Sequence, residues 1–326
     1  MSKKVFGPAL GAMLLALSFL AEAQQPRVPR VGYIFATTSS EAPDLLKAVR
    51  EGLRELGYVE GRTIALEVRW AEGRYERLPA LVAELVHVRV DVLVVATTPG
   101  ALAAKSATST IPVVMVAVGD PVGSGLVASL ARPGGNLTGL SLLNPELHGK
   151  RLELLKQVLP RVSRVGALTN PGNPIHAVFW KETEAAAQAL ALQLQPIEVR
   201  GPEDFAGAFA AAASGHDGAI IAFDDPLTLG YSTQIVALAA KHRLPAIYGF
   251  REFPEVDGLM SYGANRRDLY RRTTVFVGKI LKGTKPADLP VEQPTKFELV
   301  INLKAAKQIG LTIPQSVLYR ADKVIK

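Results

Sequence analysis

Residues 91–121, DVLVVATTPGALAAKSATSTIPVVMVAVGDP, decide the fold class of this 326-residue chain. Residues 91–96 form a short, valine-rich apolar run, which is typical of a strand buried on both faces. An alanine-rich helix is predicted after residues 97–100, TTPG, and a second buried strand over residues 111–118. A helix between two buried strands indicates a parallel sheet with right-handed crossovers.

The TTPG junction places the end of a strand next to the start of a helix. Thr98 suits the helix N-cap, and Pro99 suits the first helical turn because its missing N–H costs nothing there. Hydroxyls and free N–H groups would then gather beside the positive end of the helix dipole, which favours a carboxylate or another anion. Thr97 and Thr98 are therefore candidate ligand residues, although ordinary capping and turn formation explain them too.

Predicted strands alternate with predicted helices along the chain, and the alternation starts again near residue 145. The predicted helices include a short one at about residues 123–132 and one at about residues 228–242. The pattern predicts an α/β fold of two doubly wound parallel-sheet lobes, although no sequence repeat links the halves. Ligands of such sheets bind outside the carboxyl ends of the strands. Polar residues collect at those ends in both halves, which predicts a ligand cleft between facing lobes. The candidates at these ends are Thr38, Ser39, Thr97, Thr98, Asp120, Asn144, Asn170, Asn173, Asp224 and Tyr248.

Residues 1–23 have the features of a secretory signal peptide. Two lysines precede an apolar stretch over residues 5–20, and the tripeptide AEA predicts cleavage after Ala23. An uncleaved membrane anchor is the alternative, but the apolar stretch is short for a bilayer and contains glycine and proline. The mature chain is therefore expected to be soluble and periplasmic.

The composition argues against several classes of function. The chain has no cysteine, so disulfides, thiolate catalysis, cysteine metal sites and a lipid-anchor cysteine are not expected. The net charge of +7 is modest for the length and the basic residues are scattered, which argues against a nucleic-acid partner. The five histidines lack metal-ligand spacing, and neither a metal nor a cofactor is predicted. A weak dinucleotide pattern, G-x-G-x-x-A from Gly123 to Ala128, leaves a secreted α/β enzyme as a minor alternative.

Two longer stretches carry a resemblance to a known family. They are DPVGSGLVASLARPGGNLTG at residues 120–139 and VEQPTKFELVINLKAAK at residues 291–307. Both resemble the substrate-binding proteins of ABC transporters, in the family that includes the binding proteins of tryptophan- and tyrosine-type importers. The likeness extends from Val28 to about Asp322.

The resemblance implies a fold of the type I periplasmic-binding-protein kind and a division of the chain into lobes. The first lobe is expected at residues 24–143 plus about 258–283, and the second at residues 144–257 plus about 284–326. The implied partners are a small-molecule ligand and an inner-membrane ABC permease with its cytoplasmic ATPase. The chain itself is expected to be a monomer. Many relatives carry a lipidated cysteine after the signal, and this sequence departs from them.

The family suggests an amino-acid ligand, possibly with an aromatic side chain. Its carboxylate would need hydroxyls and backbone N–H groups, and its ammonium would need a carboxylate. Thr97 and Thr98 are the carboxylate candidates. Asp224 and Asp120 are the ammonium candidates, although a turn or cap explains Asp224 equally well and Asp120 better.

The remaining candidates also have structural explanations. Tyr248, Tyr262 and Trp70 could stack on a ligand ring, but packing explains Trp70 better and Tyr248 equally well. Turn formation accounts for Asn170 and Asn173. Asn144 suits a hinge or turn between the lobes, and Thr38 and Ser39 follow the first predicted strand.

The sequence thus predicts a periplasmic solute-binding protein of an ABC importer, without a catalytic step. A ligand that contacts both lobes would stabilise their closed arrangement, which the permease would recognise. A periplasmic ligand sensor of the same fold is the main alternative.

Overall fold

The computed structural model describes residues 27–37, 43–142 and 144–326, with the backbone alone at residues 144–146. These residues form two α/β lobes, each built on its own sheet. The predicted signal peptide, Thr38 and Ser39 lie outside the described residues. No helix in the described part of the chain has the length and apolar character needed to cross a membrane.

The first sheet contains five parallel strands in the spatial order β2-β1-β3-β4-β5. Its strands are β1 (Arg30–Phe35), β2 (Ala65–Trp70), β3 (Val92–Ala96), β4 (Val113–Val118) and β5 (Leu137–Ser141). Every residue of β3, VLVVA, is buried, because helices cover both faces of the sheet. The two strands predicted around TTPG are therefore confirmed, with the second beginning at Val113.

The second sheet repeats the order of the first and then extends it. Five parallel strands lie in the order β7-β6-β8-β9-β10, β11 pairs antiparallel with β10, and β12 pairs parallel with β11. These strands are β6 (Arg164–Thr169), β7 (Gln193–Glu198), β8 (Ala219–Ala222), β9 (Ala246–Tyr248), β10 (Met260–Ala264), β11 (Phe297–Asn302) and β12 (Lys323–Ile325). The two lobes share one plan without a sequence repeat.

The helices pack on the sheets through apolar stripes with helical spacing. In the first of them, Leu45, Val49 and Leu53 are buried and the opposite face is polar. The helices are α1 (Pro43–Glu55), α2 (Leu78–His87), α3 (Thr97–Ala107), α4 (Asn144–Val158), α5 (Ile175–Ala189), α6 (Phe205–Ser214), α7 (Pro226–Gly230), α8 (Ser232–Lys241), α9 (Glu252–Glu255), α10 (Arg266–Leu281), α11 (Leu303–Gln308) and α12 (Gln315–Leu318).

The chain passes between the lobes at three places in the described residues. It leaves the first lobe after β5, returns between β10 and α10, and leaves again before β11. Helix α10 belongs to the first lobe because it packs along α1. The approach is close, since a Cβ at Gly52 would lie 2.6 Å from Thr274 Oγ1.

These crossings correct the expected lobe boundaries in two respects. Strand β10 pairs with β9 and β11, so the expected return to the first lobe at about residue 258 is too early. Glu292 still bridges to Leu140 of the first sheet, so the final crossing comes after residue 292 and later than the expected residue 284. A buried apolar strand such as β10 fits either sheet by its pattern, and only its partners decide.

Two predicted helices differ from the structure. Residues 123–132, predicted as a helix, form successive turns. Asp120 Oδ1 accepts hydrogen bonds from the N–H groups of Val122 and Gly123, and Gly125 takes a left-handed φ of 68°. The G-x-G-x-x-A pattern therefore lacks the helix that a dinucleotide site requires. The helix predicted over residues 228–242 is two helices, α7 and α8, which meet at Tyr231.

Candidate functional site

A cavity lies between the lobes, at the carboxyl ends of the parallel strands of both sheets. About 520 Å³ of this space is not occupied by protein atoms, a volume that includes space open to solvent. The first lobe lines it with residues that follow β1, β3, β4 and β5, and the second with residues that follow β6, β8 and β9. Helix α10 adds Arg266 and Tyr270.

At the strand ends of the first lobe, the described residues that line the cavity are uncharged and include two open hydroxyls, whereas Arg266 comes from α10 of the same lobe. Thr37 follows β1, and Thr97 begins α3 directly after β3. Their buried Oγ1 atoms have no hydrogen-bond partner within the described residues, and both side chains line the cavity. Thr97 has a φ of 69°, a left-handed conformation that is costly for a β-branched residue. A strained threonine with an unused hydroxyl is typical of a functional position.

Thr98 has a different role from the one predicted. The N-cap of α3 is Ala96, and Thr98 lies within the first helical turn. Its Oγ1 accepts a hydrogen bond from Gly119 N at 3.3 Å, which ties the start of α3 to the end of β4. Thr98 lines the cavity, but its hydroxyl already has a structural partner.

Asp224 provides the open carboxylate oxygen of the second lobe. Its Oδ2 accepts a hydrogen bond from Arg151 Nη2 at 2.9 Å, and both side chains are almost fully buried. Asp224 lines the cavity, and its Oδ1 is buried and has no hydrogen-bond partner among the residues described. Arg151 also donates from Nε to the carbonyl oxygen of Tyr262 at 2.8 Å. The carboxylate is thus fixed on one side and free on the other.

Asp225, the next residue, joins the two lobes. Its Oδ2 accepts hydrogen bonds from Tyr75 Oη of the first lobe at 2.6 Å and from Asn173 Nδ2 at 2.9 Å. Its Oδ1 accepts from Leu227 N at 2.8 Å and from Asn170 Nδ2 at 3.3 Å. We call the contact between Tyr75 and Asp225 the interlobe latch. Burial, followed by the charge of Asp225, raises the pKa of Tyr75 well above its usual value, so Tyr75 remains a donor.

Two buried histidines lie behind these aspartates. His176 Nδ1 accepts from Asn170 N at 2.9 Å, so the neutral ring carries its proton on Nε2, which lies 3.4 Å from Asp225 Oδ2. Burial lowers the pKa of His176 below its usual value. His148 is fully buried between Phe179 and Phe223, and burial lowers its pKa well below the usual value. Both rings are therefore neutral at pH 7.

The rest of the cavity wall is mainly apolar. Its larger side chains come from both lobes and from α10: Leu142, Ile175, Phe179, Leu229, Phe250 and Tyr270. Tyr270 stacks on Phe35 with ring centroids 5.1 Å apart, and Phe35 stacks in turn on Trp70 at 4.3 Å. Packing, the preferred explanation for Trp70, is confirmed by these contacts. The stack fixes the Tyr270 ring at the cavity.

Arg266 of α10 is the cationic residue among the described residues that line the cavity. Its Nη1 donates to Glu252 Oε1 at 2.8 Å, and its guanidinium lies 5.2 Å from the centroid of the Phe250 ring. These contacts pair its charge within the protein. Among the described residues, no group of three or more His, Asp or Glu side chains is placed to hold a metal ion.

The structure brings four of the predicted site residues to the cavity, namely Thr97, Thr98, Asn173 and Asp224. Asn170 lies behind them and holds both Asp225 and the turn at Gly172. Asp120 only closes its own turn, as the alternative explanation predicted. Asn144 begins α4 near the first crossing between the lobes, and the structure describes only its backbone.

The two predicted ligand-stacking tyrosines are placed elsewhere, which corrects both predictions. Tyr248 is buried in the second lobe, where its ring stacks on Phe253 with centroids 4.1 Å apart. Tyr262 packs beside Phe297 at 6.2 Å. Side chains alternate across a strand, so a residue near the end of a strand can face the core. The aromatic lining residues are Phe179, Phe250 and Tyr270 instead.

The sequence reasoning missed five polar residues of the site as individual candidates: Thr37, Tyr75, Arg151, Asp225 and Arg266. Thr37 and Asp225 stand in the same strand-end clusters as predicted candidates, so that signal was present. Tyr75 lies in a short 3₁₀ helix between β2 and α2, and Arg151 lies on α4. Neither position has a local pattern that indicates a site.

Two parallel-sheet lobes with a cavity between their carboxyl ends define the class of periplasmic-binding-protein-like folds. The sequence model of the family described as "ABC transporter substrate binding protein" matches residues 38–325. The chain therefore belongs to this family.

Individual relatives agree with that assignment. The tyrosine-binding protein of Clostridioides difficile (strain R20291) is 25% identical over 275 residues, which cover 83% of this chain and 79% of the relative. A conserved domain protein from Vibrio cholerae has a solved structure with a TM-score of 0.86 and 30% identity, over 91% of this chain and all of its own. An ABC domain from Streptococcus pneumoniae in complex with L-Trp has a TM-score of 0.85 and 30% identity, over 91% of this chain and 99% of its own.

Proposed function

We propose that this protein is the extracytoplasmic binding protein of an ABC importer and that it closes its lobes on an α-amino acid. One observation carries the proposal. Asp224 lines the same cavity as Thr37 and Thr97 of the other lobe, and each of the three has a buried oxygen without a hydrogen-bond partner among the described residues. An α-amino acid has one positive and one negative group on the same carbon, and this pair of walls suits both.

The ligand carboxylate is assigned to the wall of the first lobe. Thr37 and Thr97 can each donate a hydrogen bond that no described protein acceptor uses. The first turn of α3 adds free backbone N–H groups and the positive end of the helix dipole. Hydrogen bonds to a charged acceptor contribute about 1.5–3 kcal/mol each, enough to hold a carboxylate away from water.

The ligand ammonium is assigned to Asp224. Its Oδ1 is buried at the cavity, and the bond from Arg151 to Oδ2 keeps the carboxylate from rotating away. A buried acceptor without a partner is costly, so a donor from the ligand stabilises the loaded protein. Asp225 is a weaker candidate because its two oxygens already accept from Tyr75, Asn173, Leu227 and Asn170.

The ligand side chain would occupy the apolar part of the cavity, beside Phe179, Phe250 and Tyr270. Aromatic rings pack favourably against one another in stacked and edge-to-face arrangements. The printed names of two relatives, a tyrosine-binding protein and a domain in complex with L-Trp, support an aromatic amino acid here. We therefore propose L-tryptophan or L-tyrosine as the first ligands to test.

Delivery to a permease and a periplasmic location complete the proposal. Family membership supports the permease, and the signal-like sequence at residues 1–23 supports export. The permease would recognise the closed lobes, and a monomer that presents both lobes together suffices for this. We propose no chemical step, because no hydroxyl among the described residues that line the cavity is hydrogen-bonded to a base.

A thermal-shift panel tests the proposed ligand class on the purified mature chain. It would compare the twenty amino acids with tryptamine, tyramine and L-tryptophan methyl ester, which lack the free carboxylate, and with simple sugars. A ligand present at 100 times its Kd should add about 2.7 kcal/mol to the free energy of unfolding. We expect a shift with at least one free amino acid and a smaller one with its amine and ester. No shift with any amino acid, or a larger shift with a sugar, would contradict the proposal.

A further inference from the structure

We propose that the charge of Arg151, which is held in place by Asp224, makes the cavity prefer zwitterions over amines without touching the ligand. This inference rests on the amino-acid function proposed above. Arg151 is not among the residues that line the cavity, and its side chain is 1% exposed. It contacts the site only through its bond to Asp224 Oδ2. It is therefore a positioning residue, and its charge would act on the ligand by an electrostatic interaction through the buried interior.

Two glycines leave the space that the ion pair of Arg151 and Asp224 occupies. A Cβ at Gly249 would overlap Asp224 Oδ1 and lie 2.6 Å from Arg151 Nη2, and a Cβ at Gly263 would overlap the carbonyl oxygen of Gly249. Two glycines on neighbouring strand ends thus admit the ion pair. Arg151 Nε is held by the carbonyl oxygen of Tyr262, so the guanidinium has one orientation. A buried charge that requires two glycines beside it indicates a role beyond core packing.

The charge of Arg151 acts differently on two kinds of ligand. An amino acid and its decarboxylated amine share the ammonium group, so the repulsion between Arg151 and that group affects both ligands equally. Only the amino acid also carries a carboxylate, which Arg151 attracts across the cavity. The ratio of the two affinities therefore isolates the attraction between Arg151 and the ligand carboxylate. Asp225, Arg266 and Glu252 remain the same in each comparison, and their contributions cancel.

The size of the effect follows from Coulomb's law. Because unit charges still interact appreciably across several ångströms at an effective dielectric constant of about 20, removing the charge of Arg151 should reduce the preference for the zwitterion by roughly tenfold or more. Solvent screening is weak at this pair because both side chains are buried. The change is well within the precision of calorimetric titration.

Isothermal titration of two ligand pairs, L-tryptophan with tryptamine and L-tyrosine with tyramine, tests the proposal. The variants are R151Q, which keeps a donor for the Tyr262 carbonyl oxygen but removes the charge, and R151K, which keeps the charge. R164Q is the matched control, since Arg164 forms an ion pair with Asp217 in the same lobe away from the cavity. We expect the zwitterion-to-amine ratio to fall roughly tenfold in R151Q and to stay at the wild-type value in R151K and R164Q.

Other results would overturn the proposal. An unchanged ratio in R151Q means that the charge has no role, and an equal fall in R151Q and R151K means that geometry alone matters. If R151Q does not fold, the same ratio is compared between D224N and D224N/R151Q, where no buried carboxylate is left without a partner; an equal ratio there contradicts the inference. If the wild-type protein binds no α-amino acid, the proposed function fails first. If it binds one and only the ratio is insensitive to Arg151, this inference alone fails.

Discussion

The two walls of the cavity are built from different chemistry, although the two lobes share one strand order. The wall of the first lobe offers neutral hydroxyls on Thr37 and Thr97 that have no partner within the described residues. The wall of the second lobe offers carboxylates on Asp224 and Asp225, which are held by a network of buried donors. The same fold thus places donors on one side of the cavity and charged acceptors on the other.

This difference indicates that the two lobes have different roles in ligand binding. Most bonds that fix Asp224 and Asp225 come from their own lobe, so the second lobe keeps its geometry when the lobes separate. The first lobe contributes Tyr75 to that network and the hydroxyls to the cavity only when the lobes are closed. We therefore expect the second lobe to set the affinity for the ammonium and the first to set the stability of closure.

Asp224→Asn should give the largest effect. The change removes the charge that faces the ammonium and leaves Arg151 buried beside a neutral amide. Truncating one partner of a buried charge pair costs about 2–5 kcal/mol, so the amino-acid Kd should rise by about 100-fold or more. Calorimetric titration measures it.

Asp217→Asn is the matched control for that change. Asp217 is also an aspartate of the second lobe that pairs with an arginine, but it is away from the cavity. It should lower stability without changing Kd. A wild-type Kd in Asp224→Asn would place the ammonium elsewhere and remove the contrast between the walls.

Tyr75→Phe should give the next largest effect, by breaking the interlobe latch. The lost hydrogen bond joins Tyr75 to a charged acceptor, Asp225, and Tyr75 does not line the cavity. The Kd should rise by roughly tenfold for every ligand alike, mostly through faster dissociation, because only the closed state loses stability. Stopped-flow kinetics would measure this.

Tyr58→Phe serves as the control, because Tyr58 is a half-buried tyrosine of the same lobe that packs beside Gly278 of α10. It should leave both rates unchanged. A Tyr75→Phe variant that loses affinity for one ligand only would indicate a direct ligand contact and contradict the latch.

Thr97→Val compared with Thr98→Val should give a smaller effect that separates neighbouring hydroxyls. Thr97 Oγ1 is open, so its loss should raise the amino-acid Kd roughly fivefold and leave the unfolding free energy unchanged. Thr98 Oγ1 holds Gly119 N, so its loss should cost about 1 kcal/mol of stability and affect Kd less. Urea titration and calorimetry on both variants would check this. The reverse result, with Thr98 controlling Kd, would assign the ligand carboxylate to Thr98 instead of Thr97.

Acidification should lower the stability of the protein, and this effect should arise in the second lobe. The pKa values of His148 and His176 are lowered in the folded protein, so the unfolded chain binds more protons as the pH falls below about 6.5. The stability that the neutral rings provide is therefore present above this pH and lost below it. The slope should be at most about 1.4 kcal/mol per pH unit for each histidine.

Urea denaturation between pH 5 and pH 8 would measure this dependence. His148→Leu should flatten the curve, and His87→Gln, a change at an exposed histidine of the first lobe, should leave it as in the wild type. An equally steep curve in His148→Leu would show that this ring does not contribute.

Local sequence patterns predicted the fold better than they predicted the site. Valine-rich runs such as β3 are typical of strands in a parallel sheet that is covered on both faces, so their class followed from composition and spacing. The assignment of β10 to a lobe did not, because pairing is decided by distant strands. The helix predicted at residues 123–132 failed because Asp120 and Gly125 form turns that compete with helix formation.

Cavity residues that follow the ends of buried strands were predicted from the sequence. Residues that join the site through contacts with distant parts of the chain were missed. Thr97 and Asp224 follow buried strands, and that placement alone made them candidates. Tyr75 is 150 residues away from Asp225, and Arg151 reaches Asp224 from a helix whose pattern gives no sign of it. Tyr248 shows the opposite error, since a residue near a strand end can face the core.

The most direct test of the central claim is a crystal structure of the protein grown with its amino-acid ligand. We predict that the ligand ammonium lies within hydrogen-bond distance of Asp224 Oδ1 and that the ligand carboxylate binds to the hydroxyls of Thr37 and Thr97. A ligand in the reverse orientation, or one whose ammonium binds away from Asp224, would contradict it.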